Sequence, residues 1–289
     1  MIRHPVKLLA SDLDGTLLGP DTRVADRTAA ALEAAAAAGI EVVVATGRSH
    51  WTALPILEEL ACVRWVICSN GATVYDRQRG EIAARRLLSA ELVDLVVGRL
   101  RAAFPTVGLA WECATGLVQD ERWMVNRVAT NPAVVASSHE PVTSELDLMA
   151  GEIVKLLVAH DHLVTYEWLA AVLPHMPEGV SVSTSGAQFV EVTAIDATKA
   201  EALRQLCGQL GVNRAHTIAF GDHANDLAML GWVGTGFAMA NAAEHVLAEA
   251  DAVAPHHAEH GVAQVIEALL GASAAGGLGS AGDGGVSAA

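Results

Sequence analysis

A chain of 289 residues with 52% hydrophobic side chains is long enough for one large globular domain or two modest ones. Its 33 acidic against 18 basic residues give a formal charge of −15, which argues against nucleic acid as a main partner because no net positive field draws a phosphodiester backbone. Four cysteines without a CxxC pair (Cys62, Cys68, Cys113, Cys207) and a short, charged N-terminal stretch fit a reduced, cytoplasmic protein with neither signal peptide nor membrane span.

The first element is "LLASDLDGTLLG", Leu8 to Gly19. An apolar run predicts a buried strand, and it ends in Asp12 and Asp14. In extended chain both carboxylates point to one face while Leu13 returns to the core. Two adjacent carboxylates repel unless a cation or a shared proton compensates, which is the pattern of a metal or acid/base site. The alanine run Ala29–Ala38 follows as a helix, started by Asp26 or Thr28 and closed by Gly39. "IEVVVATGR" is a second buried strand, Ser49–Leu60 is helical and "WVICSNGA" is a third strand. Continuous apolar strands alternating with helices predict a parallel sheet covered on both faces, with ligands at the carboxyl ends of the strands. All three runs end there in small or polar residues.

From about Arg86 the rhythm changes. "SAELVDLVVGRLRAAF" and "TYEWLAAVLPHM" read as helices, and "VGLAWEC", "TGLVQDE", "EIVKLLVA" and "VSVSTSG" as strands of a smaller α/β module with antiparallel pairing. The parallel alternation is expected to resume with "QFVEVTA", a helix around "KAEALRQLCGQLG" and the strand "HTIAFGD". "GTGFAMA", "DAVAP" and the helix "VAQVIEALL" follow. Residues 272–289, rich in Gly, Ala and Ser, are expected to be a disordered tail.

Four features now stand at strand ends or helix starts: Asp12/Asp14, Thr46, Lys199, and "GDHANDLAML" with Asp222, Asn225 and Asp226. In order and kind they resemble the four motifs of the haloacid dehalogenase superfamily of phosphohydrolases. "SNGA", "AMANA" and "HGVAQVIE" are similar to its Cof-type, type IIB branch. The resemblance implies a Rossmann-like parallel-sheet core, residues 1–85 and 187–271, with an inserted α/β cap at 86–186. It implies a Mg²⁺-dependent phosphatase acting on a small soluble phosphomonoester through an aspartyl-phosphate. Asp12 would attack phosphorus and Asp14 would serve as acid and base. Asp12, Asp14, Asp222 and Asp226 would hold Mg²⁺, and Leu13, Thr46, Gly47, Lys199 and Asn225 would hold the phosphoryl group. The chemistry fits these residue types. Phosphate-monoester hydrolysis is among the slowest uncatalysed reactions, and its barrier is lowered mainly by positioning and charge stabilisation. All-oxygen donor sets suit Mg²⁺. His223, Ala240 and the "IDATKA" approach to Lys199 depart from the family pattern without removing a group the chemistry needs.

A phosphomutase or phosphotransferase on the same intermediate, or a phosphometabolite-binding protein without activity, are the alternative readings. Asn70 is either a turn residue or a substrate contact. Lys155 either reaches solvent along its stem or, with Arg122 and Arg127, contacts the leaving group. Arg48 either reaches substrate or pairs with a carboxylate of the fold. Trp111 and Trp123 are core or stacking residues. His256, His257 and His260 match no zinc spacing. The expected partner is a small phosphorylated metabolite, neither nucleic acid nor membrane, and the expected state a monomer or small homo-oligomer.

Overall fold

The computed structural model describes residues 4–113, 116–130, 152–163, 165–185 and 188–277. Two sheets organise it. The first begins with β1 (Leu8–Ser11), β2 (Glu41–Ala45), β3 (Val63–Cys68), β4 (Thr73–Asp76) and β5 (Glu81–Arg85). The chain then builds the second sheet from β6 (Gly108–Cys113), β7 (Gly116–Gln119), β8 (Ile153–Ala159), β9 (Val180–Ser183) and β10 (Val190–Ala194). It returns to the first with β11 (Thr217–Gly221), β12 (Thr235–Met239) and β13 (Ala252–Ala254). The first sheet runs β13-β12-β11-β1-β2-β3-β4-β5, the second β7-β6-β8-β10-β9.

Strands β13 to β3 of the first sheet are mutually parallel, as the continuous apolar runs predict. Alternate residues of each strand enter opposite layers. Leu9, Val42, Val44 and Phe220 pack on one face with Leu32 of α1 (Asp26–Ala37). Leu8, Ala10, Val43 and Ala219 pack on the other with Leu203 and Leu206, which belong to the helix that Lys199 opens. The alanine helix starts earlier than its run, at Asp26. Ala25 stands at its cap without a side-chain bond, and Gly39, at φ +83°, closes it. Past α2, a single turn at His50–Ala53, the chain enters β3. The hairpin β4–β5 extends the sheet antiparallel from β3.

Every pair in the second sheet is antiparallel. One face, with Leu109, Val154, Leu156, Val158, Val190 and Val192, packs on α3 (Ala90–Ala103) and α5 (Thr165–Val172). The opposite face is covered at one end by Trp123 of α4 (Glu121–Thr130), over Ala110, Leu157 and Ala159. Its other end carries Glu112, Lys155 and Glu191 and lies against the first sheet. This topology corrects the expected return to the core at residue 187. Strand β10 pairs with β8 and β9, so "QFVEVTA" belongs to the second sheet. A buried strand reads the same in either sheet, and only its partners distinguish them.

The first sheet resumes through α6 (Lys199–Leu210), and α7 (Leu227–Trp232) and α8 (Glu244–Glu249) flank the later strands. The last helix, α9 (Gly261–Gly277), packs Val262, Ala263 and Ile266 into the α1 layer. It continues through 272–277, which composition assigned to the tail; 278–289 lie outside the described residues.

Candidate active site

The carboxyl ends of β11, β1, β2 and β3 are neighbours in the sheet, so Asp222, Asp12, Thr46 and Ser69 stand side by side at its edge, one inter-strand step of about 4.8 Å apart. The Asp12 N–H donates to the Phe220 carbonyl at 3.0 Å, which holds Asp12 to the sheet. The chain then turns at Gly15, at φ +77°, where a Cβ would overlap the Asp222 carboxylate. Glycine is therefore required by both conformation and space. Thr16 Oγ1 donates to Asp222 Oδ1 at 2.8 Å, and Asn241 Nδ2 donates to the Gly15 carbonyl at 2.8 Å.

Lys199 opens α6, whose cap is Thr198, accepting from the Glu201 N–H at 3.1 Å. Its ammonium is wholly buried between Asp12 Oδ1 at 2.6 Å and Asp226 Oδ1 at 2.7 Å. The second Asp226 oxygen accepts the N–H groups of Asp222 and His223, each at 3.0 Å. Asp226 therefore orders the loop after β11 as well as the lysine. Asp12, Asp222 and Asp226 bring carboxylate oxygens within 4.8 Å of one another. Burial, against the pull of Lys199, raises the Asp12 carboxyl well above its ordinary range, and burial raises Asp222. Burial also opposes the Lys199 ammonium, but the attraction of Asp12 and Asp226 outweighs it and its pKa rises. Three carboxylates around one ammonium leave this cluster short of positive charge. An all-oxygen donor set of that kind fits a hard divalent cation.

Asp14 stands apart from the cluster. Its carboxylate takes a bidentate pair from Arg48, Nε to Oδ2 at 2.7 Å and Nη2 to Oδ1 at 2.6 Å. That carboxylate is thus engaged by Arg48 and not turned to the cluster of Asp12, Asp222 and Asp226. Strand β1 ends at Ser11 and the chain coils through Leu13–Leu17, so Asp12 and Asp14 have different partners. Of the two readings of Arg48, the structure shows the ion pair. Leu13 is fully buried, and only its main chain can meet a phosphoryl group.

Thr46, Gly47 and Arg48 form the loop after β2. The Arg48 N–H donates to Thr46 Oγ1 at 3.1 Å. After β3, Ser69, Asn70 and Gly71 are all left-handed, at φ +52°, +58° and +102°. Asn70 is buried, accepts from Asn225 Nδ2 at 3.0 Å and donates to Ser183 Oγ of the second sheet at 3.4 Å. It therefore joins Asn225 to both sheets.

Lys155 follows neither expected course. It is 3% exposed, so it does not reach solvent, and its ammonium meets Gly47 O, Glu191 and Glu112. Arg122 is not brought to this site. It sits beside Gly108, at the end of β6 remote from Glu112, and Arg127 stacks over Trp123 and Phe189. Trp123 is fully buried in the core. His257 Nδ1 donates to the Leu18 carbonyl at 2.7 Å, and His256 Nδ1 accepts from the Ala258 N–H at 3.1 Å, so both secure a loop. Sequence reasoning passed over Ser69, Glu112, Glu191 and Asn241. The available signal was a lone glutamate inside each of two apolar strands, "LAWEC" and "FVEVTA", where a buried charge requires a partner.

The sequence pattern of the haloacid dehalogenase-like hydrolases matches residues 9–266. This chain belongs to that family. Two relatives are phosphatases by name. Phosphatase YwpJ of Bacillus subtilis is 31% identical, over 92% of this chain and all of the relative. An HMP-PP phosphatase of Serratia proteamaculans is 31% identical, over 82% of this chain and 84% of its own. Among solved structures, the haloacid dehalogenase subclass IIB sugar phosphatase BT4131 superposes with a TM-score of 0.75 at 25% identity, covering 91% of this chain and 98% of that one. The family resemblance, its type IIB branch and a core-plus-cap α/β fold are borne out. The parallel sheet is the core of this haloacid dehalogenase-like hydrolase and the antiparallel sheet its cap.

Proposed function

We propose that this chain is a Mg²⁺-dependent phosphatase that hydrolyses a small soluble phosphomonoester, a sugar phosphate or similar, through an aspartyl-phosphate on Asp12. The observation that carries this reading is the buried cluster at the sheet edge. Asp12 is poised beside Lys199, with Asp222 and Asp226 within 4.8 Å. Relatives named as HMP-PP phosphatase and sugar phosphatase support the substrate class. Asp12 and Asp222 would hold Mg²⁺, with Asp226 turned toward Lys199 and its loop. The ion, when bound, supplies positive charge to neutralise the transferring phosphoryl group.

In this reading an Asp12 oxygen forms a bond to phosphorus as the ester P–O bond breaks. Asp14 gives a proton to the departing oxygen, then takes one from the water that attacks the aspartyl-phosphate. Inorganic phosphate leaves and Asp12 is regenerated. Lys199, the Thr46 hydroxyl and the Gly47 N–H face the phosphoryl oxygens, and Asn225 joins them if its amide leaves Asn70. The partner is thus a small phosphorylated metabolite, met in the cytoplasm, with no role for nucleic acid or membrane. No described helix is long and apolar enough to cross a bilayer.

The test is a panel of sugar, nucleotide and cofactor phosphomonoesters plus p-nitrophenyl phosphate, with Mg²⁺ and with a chelator. Turnover is expected only with Mg²⁺, and Asp12→Asn should abolish it while the circular dichroism spectrum is kept. An Asp12→Asn protein with wild-type activity overturns the mechanism.

A further inference from the structure

Lys155 is the only lysine between Lys7 and Lys199, and it enters the protein from the cap. An ammonium has three N–H donors. Here each has an acceptor: Gly47 O at 2.7 Å, Glu191 Oε1 at 2.9 Å and Glu112 Oε2 at 3.1 Å. None is left for a leaving group. Two of these acceptors belong to the cap, but the third is the main chain of the core loop that follows β2.

That loop holds three successive carbonyls in fixed directions. Thr46 O accepts the Asn70 N–H at 3.1 Å and Arg48 O accepts the Ser69 N–H at 2.8 Å, both within the core. The middle carbonyl, Gly47 O, is held by the cap lysine. The same peptide unit carries the Arg48 N–H, which donates to Thr46 Oγ1 at 3.1 Å. With its oxygen accepting from Arg48, the Thr46 hydroxyl is left to donate its proton outward. Rotating the Gly47–Arg48 peptide would break both contacts together. A peptide beside glycine has the widest conformational freedom, so it needs an outside tie to stay in one orientation. A second contact runs the same way: Ser69 Oγ, in the strained turn after β3, donates to Glu112 Oε1 of the cap.

We propose that Lys155 is a positioning residue for the phosphoryl site, fixing the Gly47–Arg48 peptide from the cap so that the phosphate loop is complete only with the cap docked on the core. The inference rests on the phosphatase reading above. It differs from a leaving-group role in what it predicts, because a misplaced phosphate loop slows every ester alike.

Lys155→Met alone strands two buried carboxylates, so the main test uses the triple variant Glu112→Gln/Lys155→Met/Glu191→Gln, which leaves no buried charge unpaired. Kinetics with Mg²⁺ are measured on p-nitrophenyl phosphate and on the best sugar phosphate of the panel, and orthovanadate binding by calorimetry. Circular dichroism establishes that the variant is folded. The expected result is a loss of about tenfold or more in kcat on both esters alike, with KM changed less and orthovanadate bound correspondingly more weakly. Wild-type kcat, unchanged orthovanadate affinity, or a loss confined to the sugar phosphate overturns the proposal. Should the triple variant not fold, Glu191→Gln takes its place. It loosens the lysine while keeping its charge, and a severalfold fall in kcat shared by both esters is expected, no fall being the overturning result. A wild-type protein that hydrolyses nothing on the panel is a different failure, that of the phosphatase reading itself.

Discussion

Asp14 shares its carboxylate with Arg48, yet the proposed reaction asks it to protonate an alkoxide and then to activate water. The pair lies at the mouth of the site, with 42% of the Asp14 side chain and 33% of Arg48 exposed, so a substrate can part it without uncovering a buried charge. The guanidinium fork orients both carboxylate oxygens until then. Arg48→Met is therefore expected to slow alkyl phosphates by about tenfold or more while sparing p-nitrophenyl phosphate, whose leaving group needs no proton. Asp14→Asn should go further. With p-nitrophenyl phosphate a stopped-flow trace should show a burst approaching one nitrophenolate per enzyme, followed by a stall, because the aspartyl-phosphate forms but water is not activated. Steady wild-type turnover in that trace removes Asp14 from the acid/base role. The residue types here were readable in the sequence: "DLDGT", the Thr of "ATGR", Lys199 and "GDHAND" all meet at one edge. Their pairings were not. The same-face rule for Asp12 and Asp14 assumes extended chain, and the chain leaves that conformation just after Asp12.

The turn Ser69–Asn70–Gly71 does more than connect β3 to β4. Two non-glycine residues in succession hold left-handed backbone, a cost of about 1–3 kcal/mol each that surrounding contacts must offset. Asn70 supplies two of those contacts, to Asn225 of the core and Ser183 of the cap. Asn70→Gly and Asn70→Ala separate the two effects. Both remove the amide, but only glycine relieves the backbone. Urea unfolding is expected to show Asn70→Ala less stable than wild type by about 1–3 kcal/mol and Asn70→Gly closer to wild type. Both release the Asn225 amide, the step that its proposed contact with the phosphoryl group requires. Equal stability of the two variants would mean that the left-handed backbone at Asn70 holds no strain for glycine to relieve. At this scale the parallel strands were legible because both their faces are buried. The hairpin β4–β5 and the sheet membership of β10 were not, because short alternating runs such as "EIAAR" and "VEVTA" state a strand but not its neighbours.

Over the whole molecule, a formal charge of −15 surrounds a site proposed to take a phosphate dianion. The local cations do not cancel that field at a distance: Lys199 is spent on Asp12 and Asp226, Lys155 on Glu112 and Glu191, and Arg48 on Asp14. A phosphomonoester therefore approaches against a repulsion that extends over about one Debye length, roughly 30 Å at 0.01 M salt but about 8 Å at 0.15 M. Inside the site the buried, hydrogen-bonded charges are screened far less, so salt acts mainly on the encounter. At saturating Mg²⁺, raising potassium chloride from about 0.01 to about 0.15 M is expected to increase kcat/KM for an anionic sugar phosphate severalfold while leaving kcat nearly constant. The measurement is a set of initial-rate curves at fixed pH across that range. The converse result, kcat/KM falling with salt, would mean that a local positive field at the mouth of the site outweighs the net charge and steers the substrate in.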